Sequence, residues 1–189
     1  LAHALAKATL PNCKTAISFQ LNQAVLDGNV ASLSASIAAL VDQIGISYYP
    51  TAFVVGIADI TAARFAQIIS AAALRGKEIN ISEFGYDSVP DGQATQRLAL
   101  LKLWQIVVSS RICPLFAYSM TNDQTWLNPT FPTIGLKDVN NAKKQAWYLW
   151  DYMKRLRSGE ADYLYELLDV DNITIPPVAN KVLKWNGSF

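Results

Sequence analysis

The chain has 189 residues, 51% of them apolar, with 16 Lys and Arg against 15 Asp and Glu for a net charge of +1. That is enough apolar material for one domain with a real core, and it supplies neither the basic stripe of a nucleic-acid binder nor an acidic tail. Lys, Asp, Gln or Gly interrupts every hydrophobic run before it reaches the roughly 18 residues of a membrane helix, so neither nucleic acid nor a bilayer is expected as a partner.

Short apolar or aromatic runs alternate along the chain with longer segments of helical spacing. The opening LAHALAKATLP has the composition of a helix and shows no signal-peptide pattern. KTAISFQ (residues 14–20) reads as a first strand, followed after a turn-rich stretch by a helix over residues 30–43, with Leu33, Ile37, Leu40 and Val41 on one face. IGISYY (44–49) is a second strand stopped by Pro50, whose missing N–H disfavours a central strand, and its helix spans about 60–74.

EINISEF (78–84) is the third strand, ended by Gly85, with a helix over 92–109. CPLFAY (113–118) is the fourth. A long loop, 119–132, carries Trp126, two Pro and several polar residues, a composition suited to a surface loop over a functional face. A turn at 138–140 leads into a last main helix over 141–156, then a short helix near 161–168 and the Pro176-Pro177 break. The expected organisation is a single α/β domain over 1–189, with βα units in about 14–156 and a C-terminal extension in 157–189.

Strands separated by helices of this length pair in parallel through right-handed crossovers. Two architectures compete. Length favours an open doubly wound sheet, since a complete (β/α)8 barrel takes about 250 residues and rarely fewer than about 200. In both, function lies beyond the C-terminal ends of the strands. Those ends read Phe19-Gln20 with Asn22 beyond, Ser47-Tyr48-Tyr49-Pro50, Ser82-Glu83-Phe84-Gly85-Tyr86, and Ala117-Tyr118 with Asn122 and Asp123 beyond.

Tyrosines and amides therefore surround one carboxyl group, Glu83. A Glu ending a hydrophobic parallel strand is costly to bury unless it is hydrogen-bonded or opens into a cleft, which makes it the leading candidate for catalysis or ligand binding, with helix capping or an ion pair as the alternative. Strand alternation sends only one of Tyr48 and Tyr49 toward it, where a phenol O–H is a natural partner for a carboxylate. Tyr86, Tyr118 and Trp126 are candidate aromatic contacts, and Asn122 a candidate polar contact, for a ligand bound there. Asn22 and Gln20 cap turns by default.

Other chemistries lack support. His3 is the only histidine and lies far in sequence from every strand end, so Ser-His-Asp and Cys-His catalysis are not expected. Cys13 and Cys113 lack metal-site spacing and are expected to be buried thiols rather than a disulfide framework. No Gly-rich phosphate cradle follows a strand, and no cofactor and no metal are expected. Asn80-Ile-Ser, Asn172-Ile-Thr and Asn186-Gly-Ser fit the glycosylation tripeptide and point to an extracellular protein.

ISEFGY (81–86) resembles the strand-seven nucleophile motif of retaining glycoside hydrolases of the clan A (β/α)8-barrel type, in which a Glu ends the strand. Upstream, IGISYYP (44–50) resembles their sixth strand. Downstream, PLFAYSMTND (114–123) and IGLKDVNNAKKQAWYLW (134–150) resemble the eighth strand and the closing segment. The resemblance spans about 14–150 and leaves the family within the clan open.

The resemblance implies the C-terminal half of a TIM barrel, with Glu83 as nucleophile in the cleavage of β-glycosidic bonds of a poly- or oligosaccharide. The acid/base Glu is then expected upstream of this chain, and a further half-barrel or a second copy is expected to complete the barrel. A non-catalytic carbohydrate-binding half-barrel is the alternative. Asp87, Asp91 and Asp123 are the nearby carboxyl groups, and each reads first as a loop, turn or capping residue.

Overall fold

A computed structural model describes residues 2–21, 39–53, 56–73, 76–89, 91–109, 116–124 and 131–158. Helix α1 (Ala2–Thr9) precedes four strands, β1 (Ala16–Gln20), β2 (Gln43–Tyr48), β3 (Glu78–Phe84) and β4 (Phe116–Tyr118). Short 3-10 turns at Pro50–Phe53 and Ile57–Asp59 lead into α2 (Ala62–Ala73). Helix α3 (Gly92–Ser109) links β3 to β4, and α4 (Gln145–Ser158) packs on α3.

All pairings are parallel and the sheet order is β1-β2-β3-β4. A doubly wound sheet reverses its strand order at a switch point. None occurs among the described strands, so the open-sheet expectation gives way to successive units of a (β/α)8 barrel.

One face of the sheet is apolar and lies under the helices. Ile44, Ile46 and Tyr48 of β2, with Ile79, Ile81 and Phe84 of β3, form its central rows and are almost fully buried. Leu100, Leu103 and Val107 of α3 and Ala146, Leu149 and Met153 of α4 meet this core at the three- and four-residue spacing of a helix face. Trp150 packs edge-on against Phe116 and Tyr118 at 5.6 and 6.0 Å between centroids. Each fully buried side chain of this size contributes about 1.5–3 kcal/mol, so stability resides on this face.

The opposite face is polar. The hydroxyls of Ser18 and Ser82 meet at 2.8 Å beside Gly45, and Gln43 Nε2 donates to Glu78 at 2.6 Å while Asn80 Nδ2 donates to Gln43 Oε1 at 2.6 Å. Asn80 is therefore a buried strand residue, which closes the first glycosylation tripeptide to modification in the folded chain. Asn172, Asn186, the short helix near 161–168, Cys113 and most of the helix expected over 30–43 lie outside the described residues. Cys13 is a half-buried free thiol rather than a fully buried one.

Several boundaries move. Residues 39–42 form a turn rather than helix, because the N–H groups of Asp42 and Gln43 donate to Thr15 O and start β2 one residue early. The last helix begins at Gln145, not 141. Asn141 has φ 69°, and Lys143 bridges antiparallel to Lys137, so residues 141–144 close a loop. The Asp138 carboxyl accepts from Asn140 N and Ala142 N within it.

A buried ion pair fastens that loop to the segments that follow β3 and β4. Lys144 Nζ donates to Asp123 Oδ1 at 2.6 Å, and their side chains are 3% and 6% exposed. The ammonium also donates to Ser88 Oγ and Thr133 O, both at 3.0 Å, and Asp123 Oδ1 accepts from Gly135 N at 2.9 Å. Burial holds the Asp123 carboxyl above its ordinary range against the pull of Lys144. Gly135 is required at this crossing, since a Cβ would meet Asn122 C and Asp123 N at 2.3 Å.

Removing one partner leaves an uncompensated buried charge. Lys144→Met is therefore expected to destabilise the fold by about 3–5 kcal/mol, read as a fall in the urea midpoint.

Candidate active site

The site begins with a register irregularity. From Gln43 to Ile46, β2 pairs in step with Glu78 to Ile81, but Ser47 then pairs with Glu83, so Ser82 is an extra residue in β3. The same slip occurs against β4, where Phe116 pairs with Ile81 and Tyr118 with Phe84. Such a bulge changes the parity of every residue after it. By strict alternation from Ile79 and Ile81, Glu83 would enter the apolar face under the helices. Instead Phe84 takes that place beside Tyr48, and Glu83 emerges exposed on the polar face.

There Tyr49 Oη donates to Glu83 Oε2 at 2.7 Å, and Ser47 Oγ reaches the same oxygen at 3.4 Å. Burial and then the bond to Glu83 raise the Tyr49 phenol to about 12, while the Ser119 hydroxyl pulls it down. The Tyr49 ring stacks on Phe131 with centroids 4.6 Å apart and planes inclined by 26°. Gly85 makes the turn possible, because a Cβ would meet Ile134 Cδ1 at 2.9 Å and Tyr49 Cε1 at 3.0 Å. Ser119 N and Oγ both donate to Phe84 O at 2.8 Å, fixing the end of β4 beside the site.

Of the two tyrosines expected to compete for Glu83, Tyr49 makes the contact. Tyr48 is corrected: fully buried on the helix-covered face, it donates to Asp59 Oδ2 at 2.6 Å and meets Phe65 edge-on, out of reach of a ligand. Asp59 is held in turn by Arg64. Tyr86 is corrected likewise, since it is fully buried and donates to Asp91 Oδ2 at 2.7 Å. Burial pushes the Tyr48 and Tyr86 phenols upward.

Tyr118 donates to Ile134 O at 2.7 Å and packs on Phe84, a packing role rather than an open sugar platform. Asn122 donates to Asp138 O and Asn141 Oδ1, both at 3.3 Å, so its amide is used in closing the loop. Trp126 and Asn22 lie outside the described residues.

Asp87, Asp91 and Asp123 are each committed to protein partners. Asp87 accepts from Thr51 and Thr133, Asp91 from Tyr86, and Asp123 from Lys144 and Gly135. No three His, Cys, Asp or Glu side chains converge on a metal-sized site among the described residues. The sequence did not single out Phe131, Asp87 or Lys144 as parts of the site's frame. The only trace of Phe131 is an aromatic between two Pro in the long loop, and the tertiary contact is what brings it to Tyr49.

No family profile matches the chain, and no curated protein matches it. Solved structures do. The family 17 β-1,3-glucanosyltransferase of Rhizomucor miehei superposes with a TM-score of 0.58 at 16% identity, over 75% of this chain and 53% of that one. A GH10 endoxylanase retrieved from a sugarcane soil metagenome gives 0.60 at 14%, over 81% and 52%. The N-terminal endo-1,4-β-D-xylanase 10B of Clostridium thermocellum gives 0.57 at 18%, over 78% and 31%. This chain thus spans about half the length of the first two. At these identities the likeness defines the fold: a partial (β/α)8 barrel of the kind that glycoside hydrolases use.

The Tyr49 phenol has a pH consequence. Its pKa in the folded chain lies above the ordinary value of about 10, so the native state holds this proton more tightly than the unfolded one. The resulting stability is fully present below pH 10 and is lost as pH rises through about 12. Urea titrations should show the advantage of the native chain over Tyr49→Phe shrinking across that window.

Proposed function

We propose that the chain supplies the nucleophile-bearing half of a retaining β-glycosidase, with Glu83 as the nucleophile. One observation carries this: an exposed carboxyl group at the C-terminal end of a parallel strand, turned onto the polar face by a bulge and gripped by a phenol at 2.7 Å. The glycoside-acting structural neighbours and the ISEFGY resemblance support the same reading.

In this mechanism a Glu83 oxygen attacks the anomeric carbon as the glycosidic C–O bond breaks. The bonding pair leaves with the departing oxygen, which takes a proton from a general acid; water, giving up a proton to that acid's conjugate base, then displaces Glu83 from the sugar. Tyr49 holds the attacking carboxylate in line, and its high pKa keeps the proton on the phenol while it does so. The acid must stand about 5–5.5 Å from Glu83. With Asp87, Asp91 and Asp123 engaged elsewhere, we assign it to a Glu on another βα unit, in a further half-barrel that covers the polar face. The substrate class is a β-linked oligo- or polysaccharide, and an extracellular setting belongs to the same proposal.

Sugars that carry an activated leaving group and fluorine at C2 test the nucleophile without an acid, because the leaving group departs unprotonated. Intact-mass spectrometry after incubation with 2-fluoro glucosyl and xylosyl donors should show one covalent sugar, mapped by peptide analysis to Glu83 and lost in Glu83→Gln. With natural substrate and the completed barrel, Glu83→Gln should lower turnover by about 10³-fold or more while sugar binding persists. Unchanged turnover in a folded Glu83→Gln would reject the assignment, and binding without any adduct would favour the non-catalytic role.

A further inference from the structure

Three segments must be held in one arrangement for the Glu83 site to exist: the end of β2 with Tyr49, the end of β3 with Glu83, and the loop after β4 with Phe131. They leave three different strands, and past the ladders Gly85 N donates to Tyr48 O at 3.3 Å and Ser88 N to Thr133 O at 3.1 Å, backbone bonds that leave the side-chain geometry at Tyr49 and Phe131 to be set by further contacts. The Asp87 side chain, nearly fully buried, joins them. Its Oδ2 accepts from Thr51 Oγ1 at 3.0 Å, two residues past Tyr49. Its Oδ1 accepts from Thr133 N at 3.0 Å and Thr133 Oγ1 at 3.1 Å, two residues past Phe131. Asp87 itself follows Glu83 by four residues.

We propose that Asp87 is the positioning residue of the site: by pinning Thr51 and Thr133 it sets the Tyr49–Phe131 stack and, through the Tyr49 phenol, the orientation of Glu83. This rests on the assignment of Glu83 as nucleophile for its catalytic consequence, but the geometric part stands without it. Burying a carboxyl group is expensive unless its acceptor sites are filled, and here three donors from two foreign loops fill them. A capping or turn residue would instead satisfy its carboxyl group on its own segment, as Asp138 does with Asn140 and Ala142. Displacement of a reacting group by about 1 Å can cost on the order of 10²-fold in rate, which gives such a pin its leverage.

The stack offers a direct readout. In the full chain with its eight tyrosines labelled as 3-fluorotyrosine, the Tyr49 fluorine resonance is identified by its loss in Tyr49→Phe, and Phe131→Leu fixes its unstacked position. In Asp87→Ala the resonance should move more than half of the way to that position, and 2-fluoro donor labelling of Glu83 should slow by about tenfold or more.

Asp87→Asn should keep the native resonance, because the amide oxygen still accepts from Thr133 and its nitrogen donates to Thr51 Oγ1. Should Asp87→Ala fail to fold, the double variant Thr51→Val, Thr133→Val removes both hydroxyl donors at nearly constant shape and should shift the resonance in the same direction. A folded Asp87→Ala, or that double variant, with the native resonance overturns the proposal. If native protein never labels at Glu83 while the resonance still shifts, the glycosidase reading fails and the positioning role stands.

Discussion

One extra residue in β3 governs the rest of this structure. Up to Ile81 the sheet alternates regularly, with isoleucines under the helices and Asn80 and Ser82 on the polar face. Had the alternation continued, an ionisable Glu would lie in the apolar layer and Phe84 would face outward. The bulge reverses both outcomes at once. The gain in apolar burial from Phe84 and the avoided desolvation of Glu83 act in the same direction, so folding itself drives the carboxyl group onto the open face.

What surrounds Glu83 then divides by chemistry. Short polar side chains, Ser47 and Ser119, and the Tyr49 phenol contact the site directly or border it. Behind them a buried polar frame ties the βα loops together through Asp87, Ser88, Thr133, Asp123 and Lys144. Gln96 adds to it, its amide nitrogen lying 2.9 Å from Tyr86 O and 3.1 Å from Gly135 O. A frame of this kind specifies one loop arrangement because a half-made version would leave charges and amides buried without partners.

The two faces of the sheet also explain why a barrel rather than a layered sheet is the fitting architecture. Helices α2, α3 and α4 pack on the apolar side of the described strands. The other side carries serines, Gly45 and amides, a surface too polar for a second helical layer and of the small-residue kind that lets strands curve toward one another. Parallel strands succeeding one another in sequence order, each followed by a helix on the same side, are the repeating unit of the (β/α)8 fold.

The sequence by itself determined the βα rhythm, the bounds of β3 and α3, and Glu83 as the one carboxyl group at a strand end, because these depend on local periodicity and on turn residues such as Pro50 and Gly85. It narrowed the tyrosine partner to a pair but not to Tyr49, and it suggested Tyr86 and Tyr118 as ligand contacts where the fold buries or engages them. Those choices were settled by tertiary structure alone. Which face a residue joins after a bulge depends on register against two neighbouring strands. The meetings of Tyr49 with Phe131, of Lys144 with Asp123, and of Asp87 with Thr51 and Thr133 join segments far apart in sequence, and no local pattern encodes the closure of separate loops.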